Sequence, residues 1–129
     1  MGREAISNSV TLTISPEGKT ISGIPWTSGM NVQTAMERAY EIPPGIEFAL
    51  QYYGSSFGYL VLMVDGTFDT SDLFWFLYVN GVLSPTGIDS TILGDGDVVE
   101  LKYEAYSESD HGNTVYRKKQ ALAEGGHEQ

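Results

Sequence analysis

The chain has 129 residues, 41% of them hydrophobic and 12% aromatic, and a formal net charge of −10. That is enough apolar material for one hydrophobic core but not two, so one compact domain is expected. The acidic residues run from Glu4 to Glu128 without a block of like charge, so a nucleic-acid partner, which needs a basic stripe, is disfavoured.

The one basic cluster, Arg117-Lys118-Lys119, is flanked by Glu108, Asp110 and Glu124 and reads as an ordinary exposed segment. Cysteine is absent, which removes disulfides, thiolate metal sites and a cysteine nucleophile. Residues Met1 to Asn8 lack the apolar run of a signal peptide, and no later stretch approaches a membrane span, so a soluble polypeptide without membrane insertion is expected.

In chain order, Val10-Thr11-Leu12-Thr13-Ile14 alternates apolar residues with threonine, the period of a half-buried strand. Pro16-Glu17-Gly18-Lys19 supplies a turn before Ile21-Ser22-Gly23-Ile24 resumes, which predicts an opening β-hairpin. Val32, Ala35, Met36, Ala39 and Tyr40 then recur at helical spacing. Asn31 is the candidate N-cap and Pro43-Pro44-Gly45 the stop. Two strands follow, Ile46 to Tyr53 and Phe57 to Gly66, the second closed by Asp65-Gly66. A polar loop from Thr67 to Asp72 leads into an aromatic strand, Leu73 to Val79, ended by the strong turn signal Asn80-Gly81. The last strand, Val98 to Tyr103, points Val99, Leu101 and Tyr103 one way and Glu100 and Lys102 the other. Beyond Ala105 the pattern dissolves, and residues 106–129 read as a polar tail outside the core, with a marginal short helix from Val115 to Ala123. The expected division is an N-terminal extension (1–8), the domain (9–105) and that tail (106–129).

The order ββ, α, then further strands predicts an α+β fold of the ubiquitin-like β-grasp type, a mixed sheet with one amphipathic helix packed across it. From Val10 to Tyr103 the chain resembles the transcobalamin C-terminal-like domains. The resemblance rests on Asn31 to Ala39, Gly58 to Gly66, Phe74 to Gly81, Gly87-Ile88-Asp89 and Leu93 to Leu101. It implies a non-enzymatic binding module, with cobalamin or a related tetrapyrrole as the ligand and an extracellular or cell-surface setting. The positions matching the cobalamin-facing edge are Gly58, Tyr59 and Leu60 on one strand and Phe74, Trp75 and Phe76 on the next. The other reading is a structural or adhesive domain that binds a protein partner and no small ligand.

The residues themselves weigh on these readings. Aromatics beside a glycine offer a flat apolar surface with close backbone approach, yet pleat alternation must send one side of the aromatic strand into the core. Trp75, Leu77 and Val79 share one face, and Phe74, Phe76 and Tyr78 the other; which set is the more exposed stays open. Tyr52, Tyr53, Tyr59 and Tyr78 suit either recognition or ordinary strand packing. Asp65, Asp69, Asp72, Asp89, Asp95 and Asp97 lack the spaced ladder of a calcium loop, so no metal is expected. No nucleophile motif is present, both histidines (His111 and His127) lie in the tail, and no catalytic residue is assigned. Gly125-Gly126 superficially matches the activated C-terminus of ubiquitin-like proteins, but residues follow it, and it reads as a flexible tail.

Overall fold

The computed structural model describes residues 8–55, 57–107, 109 and 115–123. Strand β1 (Ser9–Ser15) pairs antiparallel with β2 (Lys19–Pro25) as the alternation predicts, and Val10, Leu12 and Ile14 are its buried positions. Helix α1 (Val32–Tyr40) starts at Asn31, whose Oδ1 accepts from the Thr34 amide at 2.8 Å, as an N-cap should. Val32, Ala35, Met36 and Ala39 are buried. Tyr40 departs from the expected apolar stripe and is 60% exposed. It is the last helical residue, and the chain turns away directly after it.

Strands β3 (Phe48–Tyr52), β4 (Tyr59–Val64) and the two-residue β5 (Thr67–Phe68) form a small antiparallel sheet. Asp65 and Gly66 turn β4 into β5 with φ of 49° and 88°, the left-handed pair that an Asp-Gly turn supplies. β5 falls where the sequence suggests only a polar loop. The aromatic strand β6 (Leu73–Val79) continues through Asn80-Gly81, both at positive φ, into the short β7 (Val82–Leu83). β8 (Val98–Ala105) runs parallel to β1 and antiparallel to β6. The larger sheet therefore has the order β2-β1-β8-β6-β7.

Register places side chains in rows across this sheet. Ile14, Leu101 and Leu77 make one row and Leu12, Val99 and Val79 the next, and these rows form the inner face beneath α1. The opposite face carries Ser15, Lys102 and Phe76 in one row and Thr13, Glu100 and Tyr78 in another. Polar pairs occupy most of that face: Ser15 donates to Glu100 at 2.7 Å, and the Tyr78 hydroxyl to Glu104 at 2.6 Å.

The expectation that residues beyond Ala105 lie outside the core does not hold for the helix α2 (Val115–Ala123). Tyr116 is buried as part of the hydrophobic core and Lys119 is only 2% exposed. The cluster read as an exposed basic segment therefore contains a buried lysine. The physical reason is a set of fixed acceptors waiting between the two sheets. His111, His127 and Gly125-Gly126 lie outside the described residues.

Candidate functional site

β4 of the small sheet and β6 of the large one lie against each other, but the sheets do not join there. All six residues singled out from the sequence sit on these two strands or just before them. Loop residues 87–89 close one end of the seam. The Ile88 amide donates to the Tyr59 carbonyl at 2.9 Å, and Asp89 Oδ1 accepts from the Tyr59 amide at 2.9 Å.

Gly58 is buried with φ of 72°, and a Cβ there would lie 2.3 Å from Asp89 Oδ1. The missing side chain makes room for Asp89, a packing demand of the chain itself. Leu60 is buried. Tyr59 is 38% exposed and its ring lies 5.0 Å from that of Tyr52, which is 55% exposed. These two rings form an aromatic pair open to solvent.

Phe74, Trp75 and Phe76 are all buried, so neither face of the aromatic strand is open. Trp75 packs against Tyr103 with the rings tilted and 4.8 Å between centres, and its indole N–H donates to the Thr67 carbonyl. Phe76 packs on Tyr116 at 4.7 Å between ring centres. Lys119 Nζ lies 5.8 Å from the centre of the Phe74 ring.

Sequence reasoning missed Asp69, Tyr116 and Lys119, which together hold α2 in the seam. Lys119 Nζ donates to the carbonyls of Val61 in β4 at 2.8 Å and Trp75 in β6 at 3.1 Å, and pairs with Asp69 Oδ2 at 2.8 Å. Three ammonium donors thus meet three acceptors. The Tyr116 hydroxyl accepts from the Leu77 amide at 2.9 Å, and Asp69 Oδ1 accepts from the Trp75 amide at 2.9 Å. Side chains supply here what a neighbouring strand would otherwise give β6.

Burial pushes the Lys119 ammonium below the ordinary lysine value, against the attraction of Asp69. It raises the Asp69 carboxyl, against Lys119 and the Trp75 amide. Tyr53 is pushed up to about 12 by burial and by the charge of Asp69. No signal of local periodicity marks this arrangement, because Lys119 and the carbonyls it meets lie more than forty residues apart in sequence.

A cavity of about 190 Å³ lies beside this cluster, lined by Gln51, Tyr53, Leu62, Asp69, Thr70 and Phe74 along with Lys119. A larger open groove, about 550 Å³, runs between α1 and the small sheet and is lined by Tyr40, Phe48 and Met63 with Glu37, Glu41 and Glu47. Among the described residues no group of three or more His, Asp or Glu side chains converges as a metal site would require. Several of the aspartates are committed to backbone instead: Asp65 accepts from Glu47, Asp89 from Tyr59, Asp95 from Ser9 and Asp97 from Gly94. No helix among the described residues is long and apolar enough to cross a membrane.

Residues 29–105 match the family described as a domain of unknown function, DUF4430. The chain belongs to the DUF4430 family. Two solved structures share the fold of this DUF4430 domain. One is haptocorrin in complex with Cbi, at 19% identity and a TM-score of 0.66, covering 78% of this chain and 25% of that one. The chain therefore spans about a quarter of the haptocorrin chain that it matches. The other is a candidate metal-binding protein from Ruminococcus gnavus ATCC 29149, at 16% identity and a TM-score of 0.57, covering 78% of this chain and all of that one. Compared with curated protein sequences, the chain has no significant match.

Proposed function

We propose that this DUF4430 domain is a non-enzymatic binding module of β-grasp type that takes a corrinoid against the edge formed by Gly58, Tyr59 and Leu60. The observation that carries this reading is the exposed Tyr52–Tyr59 pair at that edge, in a fold shared with haptocorrin bound to Cbi. A large, partly apolar ring system gains most from rigid aromatic side chains that offer contact area at little rotamer cost. In this proposal Phe74, Trp75 and Phe76 form the layer behind the edge and fix its shape. The β-grasp assignment is supported by the parallel pairing of β1 with β8 and by α1 crossing the β1–β2 hairpin. An extracellular or cell-surface setting follows from the same likeness.

One domain covers only one side of such a ligand, so affinity is low, with a dissociation constant on the order of 0.1–1 mM. The test is a titration with cobinamide and cobalamin followed by the corrin absorbance, on the intact chain and on Tyr52→Ala and Tyr59→Ala. The proposal expects saturable binding that weakens at least fivefold in both variants. Trp75→Ala is the wrong probe: truncating a buried tryptophan costs about 3–5 kcal/mol, so loss of binding there would report loss of fold. An unchanged affinity in both tyrosine variants overturns the assignment of the edge. No binding at millimolar cobinamide leaves the protein-interaction reading, for which the exposed rings would serve equally.

A further inference from the structure

A strand at the rim of a sheet presents unpaired backbone groups, and most rims of this molecule are blunted against pairing. β2 opens on Lys19, closes on Pro25 and shifts register between Ile21 and Ile24, where Gly23 has φ of 71°. β5 and β7 have two residues each. The part of β6 that β7 leaves bare meets the side chains of Asp69, Tyr116 and Lys119. β3 has none of these devices. Its sequence, Phe48-Ala49-Leu50-Gln51-Tyr52, contains no charge, proline or glycine, and β4 is its one strand partner among the described residues.

In an antiparallel pair, alternate residues turn their backbone groups toward the partner and away from it. The Tyr53 amide donates to the Gly58 carbonyl and the Glu47 carbonyl accepts from the Asp65 amide, both at 2.8 Å, so Glu47, Ala49, Gln51 and Tyr53 are the residues that face β4. Phe48, Leu50 and Tyr52 face the other way. No backbone or side-chain partner among the described residues meets their amides and carbonyls.

At the Phe48 end this edge opens into the groove of about 550 Å³ between α1 and the small sheet. Glu37, Glu41 and Glu47, all exposed, line it beside Tyr40, Phe48 and Met63, and no basic side chain lines it. Arg38 of α1 donates instead to the Pro25 carbonyl, and Lys19 is paired with Asp65. A second copy of the chain would bring the same carboxylates and a net charge of −10 against an equal charge, whereas a cationic guest offsets them.

We propose that β3 is a docking edge for an extended, positively charged peptide segment, which adds as a further strand beside Phe48, Leu50 and Tyr52 and sets a lysine or arginine among Glu37, Glu41 and Glu47. Backbone bonds hold such a guest, and its alternate side chains give it selectivity. Corrinoid binding at the Tyr59 edge is not required for it.

The test titrates the intact chain with a short end-blocked peptide alternating lysine and valine, and reads affinity together with residue-resolved hydrogen exchange. In the free chain the Phe48 and Leu50 amides exchange fast and the Tyr53 amide, bonded to Gly58, is protected. The docking edge expects the peptide to slow exchange at Phe48 and Leu50 by about tenfold or more. The same peptide methylated at every backbone nitrogen cannot complete the ladder and should bind about tenfold more weakly. Leu50→Pro removes an outward donor without removing a bond to β4, and it should weaken binding by about fivefold, as should Glu41→Lys combined with Glu47→Lys. Should Leu50→Pro deprotect Tyr53, the charge reversals and the methylated peptide decide. Binding that leaves Phe48 and Leu50 exchanging as before, equal binding of the methylated peptide, or no binding at millimolar peptide overturns the proposal. Phe48 and Leu50 amides that are protected in the chain alone and lose protection on dilution would assign the edge to a second copy, and overturn it as well.

Discussion

Two ion pairs of the same length show what burial does to a charge. Lys19 meets Asp65 at 2.8 Å with about a fifth of each side chain exposed, and Lys119 meets Asp69 at 2.8 Å with 1% and 10% exposed. Water reaches the first pair and partly screens it, so replacing Lys19 by methionine should cost on the order of 1 kcal/mol. Asp69→Asn should cost about 3 kcal/mol, because it strands an ammonium that keeps two carbonyl acceptors but loses its only counter-charge among the described residues. Urea unfolding of the two variants measures the difference. Equal losses would contradict the placement of Lys119 in the seam. The tyrosines divide in the same way by surroundings: Tyr53 faces Asp69 and holds its proton to about pH 12, whereas Tyr52, the next residue back, is open to solvent.

At the scale of elements, the glycines around the seam explain why loop 87–89 can close it. A Cβ on Gly87 would lie 2.5 Å from the Phe57 carbonyl and 2.6 Å from that of Tyr59, both backbone atoms that cannot move aside. Gly87→Ala should therefore cost about 1–3 kcal/mol and disturb the Tyr59 edge. Gly94→Ala, whose Cβ meets nothing closer than 3.7 Å, should be nearly neutral. Thermal unfolding of the pair checks this, and equal behaviour would refute the close packing of the loop. Elements whose signal is local were legible in the sequence. Alternation gave β1 and β8, the Asn31 cap and apolar stripe gave α1, and Asn80-Gly81 marked the end of β6. β5 and β7 have two residues each and carry no period to read. The docking of α2 was illegible for another reason: Tyr116 and Lys119 stand in a polar stretch, and what buries them lies on β4 and β6.

At the scale of the molecule, one hydrophobic core among the described residues runs from the β1–β2 hairpin through α1 and both sheets to Tyr116. The composition carries apolar material enough for a core. It could not say that the aromatic strand would be enclosed on both faces, because pleat alternation fixes which residues share a face and leaves open what covers each one. The sequence thus points to a stretch of chain, and which of its side chains reach the surface depends on what packs over each face. Of the six candidate residues, Tyr59 alone is substantially exposed, and its ring partner Tyr52 is one of four tyrosines that the sequence leaves open between recognition and strand packing. The central claim is that this edge, and not the larger groove between α1 and the small sheet, meets the ligand. The most direct measurement is amide chemical-shift mapping of the intact chain titrated with cobinamide to 1 mM. The account expects the largest changes at Tyr52, Tyr59 and Asp89. Changes centred on Tyr40, Phe48 and Met63, or none at all, would contradict it.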